Sequence, residues 1–208
     1  MSLPFQFDLP RERITDPDRF DLVLDRFDAI NHEDWQRIVY HGQSYPAEYL
    51  LAQALCHRVL QLAPQPSEPL LLASRCQHLR RWERPRTSNP DGRKGYLKWR
   101  KDLKVFHARI VGKILEEAGY DEDLRSAVKE LNLKTHIKDN PDCQTLEDGL
   151  CLVFLQFQIE DIIVRYPEAT VVGLLKKTAA KMSPTGLAAA QELNYSEAGR
   201  NALRQALS

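Results

Sequence analysis

His78, His107, Glu48, Glu147 and Asp148 are side chains that can move a proton or hold a metal, and a run of arginines accompanies them along the chain. The stretch RCQHLRRWERPR begins at Arg75 and holds His78, Arg81, Trp82 and Arg86. Read as a helix, residues three and four apart share a face, so Arg75, His78 and Trp82 form one stripe and Ser74, His78 and Arg81 another. The segment YLKWRKDLKVFH repeats the arrangement, with Tyr96, Arg100, Leu103 and His107 on one face. Nitrogen and oxygen donors from Glu48, His78, His107 and Asp148 would suit a divalent metal of unassigned identity that activates water. Glu147 and Asp148 precede an apolar helical run, where a carboxylate is costly without a cation, a metal or a hydrogen-bond donor, and they are the candidate catalytic carboxylates.

Arg75, Arg81, Arg86, Arg93 and Arg100 are the candidate anion-binding residues, interleaved with Trp82, Tyr96 and Trp99. Arginine forks grip phosphate oxygens bidentately and stack on aromatic rings, which points to a small phosphorylated or otherwise anionic ligand. Each residue also has an ordinary structural role. A helical histidine commonly satisfies itself within the core. Glu48 would complement a helix N-terminus, Glu147 and Asp148 would pair with arginines in a structural network, and Lys176, Lys177 and Lys181 would form a solvated helix end. His32, His41 and His136 read as loop residues.

The elements that must position these groups are helices, because the 3.6-residue period dominates and almost no stretch alternates as a strand does. TDPDRFDLVLDRFDAI predicts a helix from Pro17 to about Ala29 capped by Asp16, with Phe20, Leu22, Leu24 and Phe27 as apolar positions. NHEDWQRIVYHGQSYP reads as a loop in which Ser44 caps the next helix. Ser67 and Pro69 restart the chain as a helix through Trp82, and ERPRTSNPDGRKG has turn chemistry. A long helix then runs to Gly119. Beyond a shorter helix, Asn140 and Pro141 open a helix whose LCLVFLQF run is apolar all round, as a central buried helix would be. The tail predicts two or three more helices broken at Ser183-Pro184. With 208 residues and no long linker, the chain reads as one all-α, multi-helix domain over its whole length.

Lysine plus arginine and aspartate plus glutamate balance at 29 each. No global field draws in a polyanion, so a nucleic acid is a less favoured partner than a small ligand in a local site. Four cysteines without CxxC spacing read as reduced core thiols. No apolar run of about 18 residues is present, so a membrane partner is not expected and a cytoplasmic protein is.

The ordered elements YPAE, ASRCQHLRRWERPR, NPDGRKGYLKWRKDLKVFHA, DCQTLEDGLCLVFL and KKTAAKMSPTG resemble the family called domain of unknown function 4202, over about residues 15 to 207. The resemblance implies an all-helical fold and motif positions at Glu48, Arg75, Gln77, His78, Arg81, Trp82, Arg86, Arg93, Tyr96, Trp99, Arg100, His107, Gln144, Glu147 and Asp148. Some members carry a glutamyl-tRNA synthetase label. The chain has no nucleotide-binding strand–loop–helix signature and is too short for aminoacylation plus tRNA recognition, so that activity is not expected. A histidine on an early helix and a carboxylate on the central one also resemble the metal-dependent phosphohydrolases of the HD superfamily, whose paired His-Asp stands here as Gln77-His78. That likeness implies a metal held by some of Glu48, His78, His107, Glu147 and Asp148, with Arg75, Arg86, Arg93 and Arg100 on the phosphate.

Two functions fit these residues. One is a metal-dependent hydrolase of a small phosphorylated or anionic compound. The other is a non-catalytic module binding an anionic ligand, nucleic acid or a protein, which predicts Glu147 and Asp148 in ion pairs with arginine and no cleft around His78.

Overall fold

The computed structural model describes residues 4–135 and 139–207, so His136 lies outside the described residues. Ten α-helices are present among the described residues, in line with the helical period. Helix α1 (Pro17–His32) starts where Asp16 accepts a hydrogen bond from the Arg19 amide at 3.1 Å, and it runs on past the expected end at Ala29. Phe20, Val23, Leu24 and Phe27 form its buried stripe, while Leu22 turns outward.

The segment read as loop contains a small antiparallel hairpin, β1 (Arg37–Tyr40) and β2 (Gln43–Pro46). His41 and Gly42 join the strands with φ of 47° and 76°, the left-handed pair that a two-residue hairpin turn requires. Ser44 is therefore a strand residue opposite Val39 and does not cap α2 (Ala47–Leu62). Asp34, ahead of the hairpin, supplies that function: its Oδ2 accepts from the Glu48 amide at 3.0 Å.

Helix α3 (Glu68–Cys76) is capped by Ser67 and is shorter than predicted. Leu79 must enter the core, where it is fully buried, and Arg80 adopts a left-handed φ of 58°. The chain then continues through short 3-10 turns at Arg81–Glu83 and Arg86–Ser88. The helical stripe predicted for Arg75, His78 and Trp82 is thus not formed, because His78 and Trp82 lie beyond the helix.

Helices α4 (Gly92–Glu117) and α5 (Glu122–Leu133) pack against each other, and α6 (Pro141–Phe157) begins, as read from the sequence, at Asn140 and Pro141. It runs beside α2 with Gly149 at a close approach: a Cβ there would fall 2.9 Å from Leu55 Cδ1. Leu146 and Val153 of α6 join the apolar cluster of α1 to α5, with Phe20, Phe27 and Leu115. Leu152 and Leu155 join a second cluster with α7 (Ile159–Arg165), α8 (Glu168–Ala179), α9 (Pro184–Gln191) and α10 (Glu197–Leu207). Each such buried leucine contributes about 2 kcal/mol, so α6 is held in place on both sides. All four cysteines are buried and free. Among the described residues, no helix is long and apolar enough to cross a membrane.

Candidate functional site

Helix α6 brings Glu147 to one wall of a cleft of about 310 Å³, and α2 brings Glu48 to another. The turn after α3 adds His78 and Arg81, α4 adds Arg100, Lys104 and His107, and Lys134 and Lys181 enter from the ends of α5 and α8. Positions 100, 104 and 107 are one helical stripe, so a single face of α4 presents two cations and an imidazole. Tyr96 and Trp99, a turn earlier on the same helix, line the cleft as well, with the Arg100 guanidinium 5.8 Å from the Tyr96 ring.

Glu48 and His78 form a carboxylate–imidazole contact here, with Oε2 3.4 Å from Nδ1. The Arg81 Nε stands 3.8 Å from the other oxygen. Burial alone would raise the Glu48 pKa, but His78, Arg81 and His107 outweigh it and hold the carboxyl below its ordinary range. Burial lowers the pKa of His78, a shift that Glu48 only partly offsets. Glu48 is therefore the charged member and His78 a neutral imidazole near neutral pH.

His107 is 4% exposed, and its ring centre lies 5.9 Å from that of His78. Its Nδ1 is 2.9 Å from the Leu79 carbonyl oxygen. A carbonyl only accepts, so Nδ1 carries the hydrogen. Burial and the neighbouring His78 push the His107 pKa down to about 4, so Nε2 is an unprotonated acceptor, and it has no partner among the described residues.

Glu147 is an anion despite its burial, because Lys134 Nζ at 2.8 Å and Lys181 Nζ at 3.6 Å lower a pKa that burial alone would raise. Asp148, one residue on, does not line the cleft. Its Oδ1 accepts from the Ser183 amide and from Gln144 Nε2, both at 2.9 Å, and its Oδ2 accepts from the Ser183 hydroxyl at 2.5 Å. It thereby secures the start of α9, where Gly186 packs so tightly that a Cβ would lie 2.6 Å from Asp148 Cγ. The two adjacent carboxylates thus meet lysines in one case and a hydroxyl with amides in the other, and neither meets an arginine among the described residues.

Of the five candidate anion-binding arginines, Arg81 and Arg100 reach the cleft. Arg75 is buried and paired with Asp28. Arg86 donates to the Asn89 and Pro90 carbonyls at 2.9 Å and so closes its own loop. Arg93 is exposed and does not line the cleft. Lys104, Lys134 and Lys181 take their places. Lys104 was legible as the residue between Arg100 and His107 on one stripe. Lys134, in a left-handed position after α5, carries no such signal.

The residues proposed as metal ligands do not converge on one point. Asp148 is committed to Ser183 and Gln144 and Glu48 faces the Arg81 guanidinium, whereas His107, with Nδ1 on a carbonyl, keeps Nε2 free among the described residues. Among the described residues, no three His, Cys, Asp or Glu side chains are grouped to hold a metal ion. Five cationic side chains line the cleft against two carboxylates. Arg100 and Lys104 have no carboxylate partner among the described residues, and Lys104 donates only to the Leu133 carbonyl at 3.0 Å. Burial, Lys134 and Arg100 lower the Lys104 pKa, and Glu147 only partly offsets them, as crowded cations require. A second hollow of about 520 Å³, on the far side of Trp99, is lined by Arg84, Lys101, Phe106 and Arg109 among others, but by no histidine.

A family model described as Domain of unknown function (DUF4202) matches residues 21–203. No curated protein and no solved structure matches the chain.

Proposed function

The chain belongs to the family described as Domain of unknown function (DUF4202), and we propose that its cleft binds a small phosphorylated compound. One observation carries this reading: Arg100 and Lys104 stand in the cleft without a carboxylate partner among the described residues, next to three further cations. Such unbalanced charge in a partly desolvated pocket favours a dianion, and the guanidinium and ammonium donors suit phosphate oxygens. The neutral total charge of the chain agrees with a confined site. Calorimetric titration with inorganic phosphate tests the reading. Binding that weakens about tenfold in Lys104→Met supports it, and no detectable binding overturns it.

A catalytic step is the second reading, favoured by the Glu48–His78 contact. With Nδ1 turned to an ionised carboxylate, the neutral His78 imidazole offers Nε2 as a general base to a water or a ligand hydroxyl. The water oxygen would form a bond to phosphorus as its proton passes to Nε2, and the ester oxygen would leave and recover a proton. A screen of phosphate monoesters with the wild-type protein and His78→Asn tests this reading. Turnover lost in the variant supports it, and turnover equal in both overturns it.

A further inference from the structure

We infer that the compound held in the cleft is a phosphate ester that also carries a hydroxyl, and that His107 Nε2 accepts that hydroxyl's hydrogen bond. The inference rests on the phosphate reading above and specifies the rest of the ligand. The His107 tautomer is set by the protein: Leu79 O takes the Nδ1 hydrogen at 2.9 Å, which leaves Nε2 a bare lone pair. That nitrogen is buried and without a partner among the described residues, on a residue that lines the cleft and is 4% exposed. An unmet buried acceptor is destabilising, and a donor supplied by a ligand recovers that loss. His78 adds a second acceptor, since the Glu48 carboxylate favours the hydrogen on Nδ1 and leaves Nε2 bare.

The donor has to be neutral. Arg81, Arg100, Lys104, Lys134 and Lys181 all line the same cleft and would repel an ammonium group. Phosphate oxygens only accept once ionised, so they answer the cations and cannot answer the imidazoles. A hydroxyl meets both conditions, and a phosphorylated polyol or sugar carries phosphate and hydroxyl on one small skeleton.

Glycerol 3-phosphate and n-propyl phosphate differ in the hydroxyls alone, and calorimetry with the full chain separates them. The wild-type protein is expected to bind glycerol 3-phosphate at least about tenfold more tightly, the factor that one satisfied buried acceptor supplies. His107→Phe is expected to narrow that preference, and a preference unchanged from the wild type overturns the inference. Equal affinities in the wild-type protein overturn the inference and leave the phosphate reading standing. Failure of both esters and of inorganic phosphate to bind overturns the phosphate reading and the inference with it. Should His107→Phe not fold, ¹⁵N spectra of the wild-type imidazoles give the same answer. The His107 Nε2 resonance should move with glycerol 3-phosphate and stay with propyl phosphate, and a resonance unmoved by bound glycerol 3-phosphate overturns the inference.

Discussion

Glu48 Oε2 lies 3.4 Å from Nδ1 of His78, and the backbone amide of the same Glu48 is held by Asp34 at 3.0 Å. The carboxylate is therefore fixed at the start of α2 before it meets the imidazole. Removing its charge takes away the main influence that raises the His78 pKa against burial. Glu48→Gln is expected to shift the His78 titration to lower pH, read from its imidazole resonances. An unchanged or raised midpoint would show that the contact has no electrostatic role.

His107 gives the protein an acid-sensitive step. Its pKa is about 4 in the folded state against an ordinary histidine value of 6.5, so between those values the unfolded chain binds a proton that the folded one refuses. Stability from this group is complete above pH 6.5 and is lost as pH falls towards 4. The loss between pH 7 and pH 5 should be about 2 kcal/mol. His78, lowered by burial, adds to it in the same direction. Urea midpoints at the two pH values measure it, and a midpoint that holds or rises on acidification would refute the assignment.

Arg75, 5% exposed, is a buried structural arginine paired with the half-buried Asp28. Asp28→Ala leaves that guanidinium buried without its counter-charge, which costs about 3–5 kcal/mol. Phosphate affinity should change little, because Arg75 does not line the cleft. A variant of unaltered stability would contradict the pairing, and one that folds normally but loses phosphate would return Arg75 to the site.

These outcomes separate what the chain pattern discloses from what only packing decides. The helices, the Asp16 and Asn140 caps and the central α6 follow from local rules: a short acceptor before proline, and apolar residues on every side. The end of α3 does not, because the pull of Leu79 into the core and the left-handed Arg80 are tertiary effects. The same holds for the site. His78, His107, Glu48 and Glu147 were legible from residue type and neighbourhood, and they do line one cleft. Which of two adjacent carboxylates faces it was not, since Glu147 and Asp148 differ only in the helix turn that packs over each. Arginines at 75, 86 and 93 carried the same local signal as those at 81 and 100, yet long-range partners and loop closure direct them elsewhere.

Asp148 tests that distinction directly. Asp148→Ala removes the acceptor of the Ser183 amide and hydroxyl and of Gln144, leaving donors at the start of α9 unmet. The expected cost is about 1–3 kcal/mol in stability, with phosphate affinity close to wild type. Glu147→Ala is expected to act oppositely on affinity, since it frees Lys134 and Lys181 from the carboxylate they share and leaves them for the ligand. Chemical unfolding of both variants, followed by phosphate titration of each, gives two independent readouts. Weakened phosphate binding in Asp148→Ala at retained stability would make Asp148 part of the site. Weakened binding in Glu147→Ala would mean that the two lysines are placed by Glu147 rather than neutralised by it.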